Sequence, residues 1–148
     1  MQLYLDTSAL VKRYDPYEVN AASVTELCDP AAANSLYTSG LTGPEVASVL
    51  RRKEREGHLS ADGVQRAWRA FQAHASTEYT LLAVIPDILR EAERLILTRK
   101  LRAFDAVHLA CALAVQTLLP EDTALEFATA DRDQATAAES VGLKVRRV

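Results

Sequence analysis

Acidic residues recur in this chain where a short apolar run gives way to a helix-forming one. Asp6 follows Gln2-Leu3-Tyr4-Leu5, a short and mostly apolar strand, and precedes Thr7-Ser8-Ala9, which open an amphipathic helix. A carboxylate so placed stands at the carboxyl end of a strand beside a helix N-terminus. That is the edge at which open α/β sheets bind ligands. Glu45 opens the helix after a second strand, and Asp131 follows a later strand with Asp133 two residues on. Asp105 heads a very apolar helix without a clear strand before it. In a parallel sheet these strand ends share one edge. Carboxylates gathered there repel one another unless a cation lies among them. An all-oxygen set without Cys or His partners suits Mg²⁺ or Mn²⁺. Such a centre bridges to phosphate oxygens and activates a water molecule.

Each acid also has a plainer role. Asp6 is a good helix cap. Thr42-Gly43-Pro44-Glu45 has the T-x-x-E form of a capping box, with Pro in the first turn. Asp105 and Asp131 complement the positive end of a helix dipole. Single residues do not separate the two readings; several acids on one edge favour the site.

The elements that must position these side chains follow from periodicity and punctuation. Ser8 to about Tyr14 reads as a helix ended by Asp15-Pro16, and Glu18 to Cys28 as a second, ended by Asp29-Pro30. Ser35 to Ser39 reads as a strand. The helix from Thr42 runs to about Glu56, where Gly57 stops it. Another starts at Ser60 and carries Val64, Ala67, Trp68 and Phe71, with Trp68 and Phe71 read as core or as a surface for a protein partner. Tyr79 to Ile85 predicts a buried strand and Pro86-Asp87 a helix start. Asp105 begins a helix, Ala124 to Thr129 is a strand, Asp131 to Val141 a helix and Leu143 to Val148 a last strand. Five short apolar strands alternating with helices predict a three-layer α/β/α fold with a central, mainly parallel five-stranded sheet.

Bulk properties narrow the function. The 148 residues suit a single domain spanning 1–148. A net charge of −3 argues against a passive, charge-driven nucleic-acid binder, which is usually basic. A local basic rim remains open: Arg51, Arg52, Lys53 and Arg55 form a run at a helix C-terminus, and Lys12 and Arg13 lie nearest Asp6. Dipole compensation explains the run equally well. Of the histidines, His108 lies one turn after Asp105 and is expected to pack near the site, whereas His58 and His74 read as surface residues. Cys28 and Cys111 have neither zinc nor disulfide spacing, which predicts a reducing cytoplasm. No apolar run reaches the roughly 18 residues of a membrane span, and no signal peptide is recognisable.

Four stretches together resemble a known family. Leu-Asp-Thr-Ser-Ala-Leu at 5–10, Pro-Glu-Val-Ala-Ser at 44–48, Phe-Asp-Ala-Val-His-Leu-Ala at 104–110 and Ala-Thr-Ala-Asp-Arg-Asp at 128–133 are similar to the signature regions of PIN domains. They most resemble the VapC-type toxins of prokaryotic toxin–antitoxin pairs, in order and spacing along essentially the whole chain. The resemblance implies a Mg²⁺- or Mn²⁺-dependent endoribonuclease of a type II toxin–antitoxin system. It also implies a homodimer and inhibition by a cognate VapB-like antitoxin. By motif, Asp6, Glu45, Asp105 and Asp131 match the acidic quartet, with Asp133 an additional acid of some members. Asp6, Asp105 and Asp131 would then hold the metal, and Glu45 would ligate it or orient the attacking water. Thr7 and Thr129 fall where hydroxyls support the carboxylates, and Lys12, Arg13 and Arg51 become candidates for gripping RNA. Cleavage would leave a 5′-phosphate and a 3′-hydroxyl. Two other functions share this architecture. A phospho-acceptor receiver domain needs a second acid beside the first strand's Asp, where this chain has Thr7 and Ser8. A non-catalytic binding module would not need the full acid set.

Overall fold

The computed structural model describes all of residues 1–148. Five strands form one sheet: β1 (Gln2–Leu5), β2 (Ser35–Ser39), β3 (Tyr79–Leu82), β4 (Leu125–Thr129) and β5 (Lys144–Arg147). Their order is β3-β2-β1-β4-β5, and every neighbouring pair is parallel. Seven α-helices accompany them: α1 (Thr7–Leu10), α2 (Ala21–Leu27), α3 (Thr42–Arg55), α4 (Ala61–Thr77), α5 (Pro86–Thr98), α6 (Ala103–Leu118) and α7 (Arg132–Ser140).

Side-chain alternation along the strands divides the core in two. Leu3 and Leu5 of β1 face one layer, where they meet Leu10, Val46, Leu50 and Phe71. Tyr4 faces the other, with Leu125 and Phe127 of β4 against α5, α6 and α7. The Tyr4 and Phe127 rings stack at 5.4 Å across adjacent strands. Both faces are thus covered, and the three-layer α/β/α arrangement expected from the sequence is the one observed. No single helix is long and apolar enough to cross a membrane.

Several boundaries differ from the sequence-based expectation. The first helix has only one α-turn before it tightens to a 3₁₀ turn over Val11–Tyr14. The second starts at Ala21 rather than Glu18, and Val19 is left 74% exposed. The third strand stops at Leu82 and lies on the sheet edge, so Thr80 and Leu81 are exposed rather than buried. The sixth helix begins at Ala103, two residues before Asp105.

The capping box is also absent. Leu41 is the N-cap of α3, and Thr42 is already helical and fully buried. Its hydroxyl pairs with Thr38 at 2.6 Å. Glu45, freed from capping, turns towards Thr7 of α1 and His108 of α6. Gly57 ends α3 as expected, at a φ of +76° that a side chain would strain.

Candidate active site

The β1–β4 pairing builds the centre of the site. Leu5 is in register with Ala128, and the Asp6 amide donates to the Ala128 carbonyl at 3.2 Å, so Asp6 comes level with Thr129. Asp6 is 1% exposed. It caps α1 by accepting from the Ala9 amide at 2.8 Å. The Thr129 hydroxyl donates to its Oδ2 at 2.5 Å and the Ser8 hydroxyl to its Oδ1 at 2.8 Å. These donors are held in turn: the Asp131 amide donates to Thr129 Oγ1 at 3.0 Å and the Ala130 amide to Ser8 Oγ at 2.9 Å. The cap and the site residue are therefore the same side chain. Burial pushes the Asp6 carboxyl above the ordinary range, and the charge of His108 and these hydrogen bonds offset only part of that.

Glu45 is held by the neighbouring residues. The Thr7 hydroxyl donates to its Oε2 at 2.8 Å, and His108 Nε2 lies 2.8 Å from the same oxygen. A carboxylate only accepts, so Nε2 carries the proton. The Tyr4 hydroxyl satisfies the other ring nitrogen at 3.0 Å. His108 is 2% exposed and Tyr4 is fully buried, which makes this relay part of the core. Burial pushes the Glu45 carboxyl up, but His108, Thr7 and the charge of Arg102 outweigh it and hold the group below its usual value.

Asp105 and Asp131 face each other across an arginine. Arg102 Nε donates to Asp105 Oδ2 at 2.8 Å, and its Nη2 lies 3.4 Å from Asp131 Oδ2. Asp131 caps α7 through its other oxygen, which accepts from the Gln134 amide at 2.9 Å. Gln134 is buried and donates to the Asp105 carbonyl at 3.2 Å, tying α7 to α6. Asp133 points elsewhere, onto Lys100 at 2.6 Å.

A groove of about 910 Å³ opens beside these groups. Thr7, Ser8, Glu45, Arg52, His58 and Arg102 are among its lining residues. Lys12 reaches it too, but is buried with its Nζ on the Val19 carbonyl at 2.7 Å. Arg51 stands outside it, paired with Glu54 on the surface of α3. Arg13 does not reach the groove either. Its guanidinium is committed to Glu78 and the Tyr79 hydroxyl, each at 2.7 Å, and to the Cys28 carbonyl. His74, expected on the surface, joins the same knot through the Tyr14 hydroxyl at 3.0 Å.

The donor set suits a hard divalent cation, since every acid offers carboxylate oxygen. A cationic guanidinium already spans two of the four. Of the four acids only Glu45 lines the groove, and no three Asp, Glu, His or Cys side chains are close enough together to hold a metal ion as placed.

Residues 3–140 match the PIN domain family, and the match covers all four acids. The chain belongs to the PIN-domain family. It is 32% identical to Ribonuclease VapC45 of Mycobacterium tuberculosis over 146 residues, which is 97% of this chain and 93% of that protein. Solved PIN-fold structures superpose along the whole chain. Mycobacterium tuberculosis VapC20, a toxin that cleaves the sarcin–ricin loop, has a TM-score of 0.66 at 16% identity, with 95% of each chain covered. VapBC2 of Rickettsia felis, bound to a DNA fragment from its promoter, has a TM-score of 0.65 at 12% identity, covering 99% of this chain and 98% of that one. At those identities the likeness concerns the fold alone.

Two contributors to the site were not readable in the sequence. The sequence presents Ser8 only as a helix opener and Tyr4 only as a strand residue. Ser8 joins Asp6 two residues away to the Ala130 amide after β4, and Tyr4 reaches His108 on α6; these long-range partners leave no signal in a single sequence.

Proposed function

We propose that this PIN domain is an endoribonuclease toxin of a VapBC-like toxin–antitoxin pair, hydrolysing RNA phosphodiesters with Mg²⁺ or Mn²⁺. The observation that carries the reading is a linked set of acids: Asp6 is joined to the Asp131 backbone through Thr129 and Asp131 to Asp105 through Arg102, while Glu45 lines a groove that Arg52 and Arg102 also line. The ribonuclease name of the 32% identical relative supports RNA as the substrate. A VapB-like antitoxin, a homodimer and a cytoplasmic setting belong to the same reading, the first supported by the VapBC complex of the same fold.

Asp6, Asp105 and Asp131 would hold the metal, and Asp133 would join them only after leaving Lys100. The bound cation supplies a water of lowered pKa and neutralises charge on the phosphate. The chain's own groups do the rest. Thr129 and Ser8 aim the Asp6 oxygens, so that ligand is pre-set. Glu45, kept ionised by Thr7 and His108, accepts a hydrogen bond from the attacking water and orients it in line with the phosphorus. Arg52 and Arg102 face the groove and neutralise phosphate oxygens.

The chemistry of the product ends tests this reading. RNA incubated with the protein and Mg²⁺ or Mn²⁺ should give fragments bearing 5′-phosphate and 3′-hydroxyl ends, and EDTA should stop their appearance. Fragments ending in 2′,3′-cyclic phosphate, or cleavage that ignores EDTA, would overturn it. Binding of RNA without cleavage in either metal would instead favour a non-catalytic binding module.

A further inference from the structure

Arg102 is placed unlike any other cation of the groove. It touches two of the four site carboxylates, Asp105 and Asp131, at 2.8 and 3.4 Å. Arg52 makes no such contact, Lys53 is held by Asp15 and Glu18, and Lys12 by a backbone carbonyl. The two acids are held and the arginine is not. Asp105 sits inside the first turn of α6, and Asp131 is anchored through its second oxygen as the cap of α7. Arg102 is the N-cap of α6 with an extended backbone, and its side chain is 79% exposed. Exposed pairs of this kind are weak and exchange readily. The oxygen it takes on Asp131, Oδ2, is the one that capping leaves free for a ligand, and the Asp105 carboxylate caps no helix.

We propose that Arg102 is an exchangeable cation of the active site: it neutralises Asp105 and Asp131 before metal loading, and is released by the metal to grip the RNA phosphate in the groove. The inference rests on the nuclease reading above. Two like-charged aspartates repel across the gap without a cation, and the guanidinium supplies one. A divalent ion on the same oxygens displaces it, and the freed arginine already lines the groove where substrate phosphate would lie. Metal and Arg102 therefore compete for the acids, while metal and RNA help one another through Arg102. Such a coupling is reciprocal.

The test needs two binding measurements. Calorimetry with Mn²⁺ alone, without RNA, compares wild type, Arg102→Ala and Arg52→Ala. Arg102→Ala should bind Mn²⁺ roughly two- to tenfold more tightly, the size that two exposed ion pairs support. Arg52→Ala should match wild type. Binding of a short single-stranded RNA is then measured in a Glu45→Gln background that slows cleavage. Arg102→Ala should weaken binding in Mn²⁺ by a similar factor and change it little in EDTA, whereas Arg52→Ala should weaken it in both. Unchanged or weaker Mn²⁺ binding by Arg102→Ala, beside normal binding by wild type, would overturn the competition and leave the nuclease reading intact. An equal loss of RNA affinity in Mn²⁺ and EDTA would make Arg102 an ordinary rim residue and overturn the exchange. Failure of every variant, wild type included, to bind Mn²⁺ would remove the metal reading and this inference with it.

Discussion

Asp6 caps a helix, takes hydroxyls from Thr129 and Ser8, and is almost completely withdrawn from water. A buried carboxylate that must bind a cation is a local liability until the cation arrives. Burial raises the Asp6 pKa above its unfolded value, so the folded state holds the proton more tightly. Its contribution to stability is therefore present below the unfolded value, about 4, and is lost as pH rises through the folded value. Asp6→Asn keeps the shape and removes that loss. In EDTA at neutral pH the variant should melt higher than wild type by calorimetry, with the gain fading below about pH 4. A lower Tm at neutral pH, or a gain that persists at low pH, would contradict the account. Asp6 was legible because strand, acid and helix start are consecutive in the chain. Arg13 was not. It follows Lys12 directly, yet the turn after α1 aims Lys12 at the groove and Arg13 at Glu78 and Tyr79.

Helix α3 carries the largest departure from what local sequence predicts. Its first turn spells a capping box, but Thr42 bonds Thr38 beneath it and Glu45 bonds Thr7 and His108. Partners from α1 and α6 outcompeted a local motif for Glu45, and only the fold brings them near. Its last turns spell a basic rim, yet successive residues point about 100° apart. Arg52 lines the groove, Arg51 pairs with Glu54 on the surface, and Lys53 turns inward. There its Nζ donates to Asp15 at 2.7 Å and also to Glu18. Burial lowers the Lys53 pKa, but these two carboxylates more than reverse that. Lys53 thereby fastens the segment after α1 against α3, with Glu18 on the groove wall. Lys53→Met would strand the buried Asp15, and loss of one partner of a buried pair costs roughly 3 kcal/mol or more. Urea unfolding should register that loss, and Lys53→Met combined with Asp15→Leu should recover part of it. A loss below about 1 kcal/mol, the range of exposed pairs, would show that Lys53 is solvated in solution.

The whole molecule concentrates its chemistry where the strand order turns. From β1 the chain proceeds outward to β2 and β3, then returns to place β4 and β5 on the other side. The crevice at such a reversal is the natural ligand site of an open parallel sheet. Here Asp6, just past β1, is joined to Thr129 of β4, and the groove beside them is lined by Thr7, Ser8 and Ala130 and rimmed by Arg52 and Arg102, on a chain of net charge −3. The alternation of short apolar strands with helices made that architecture readable in advance. The polar relay from Tyr4 through His108 to Glu45 was not, because its two links join residues 104 and 63 positions apart. The most direct test compares RNA cleavage by wild type and Asp6→Asn, both folded by circular dichroism, in Mg²⁺ or Mn²⁺ and with excess EDTA. Wild type should cleave with metal only, and the folded Asp6→Asn protein should not cleave. Cleavage by Asp6→Asn at the wild-type rate, or by wild type in EDTA, would contradict a metal-dependent nuclease built on the acidic edge of this sheet.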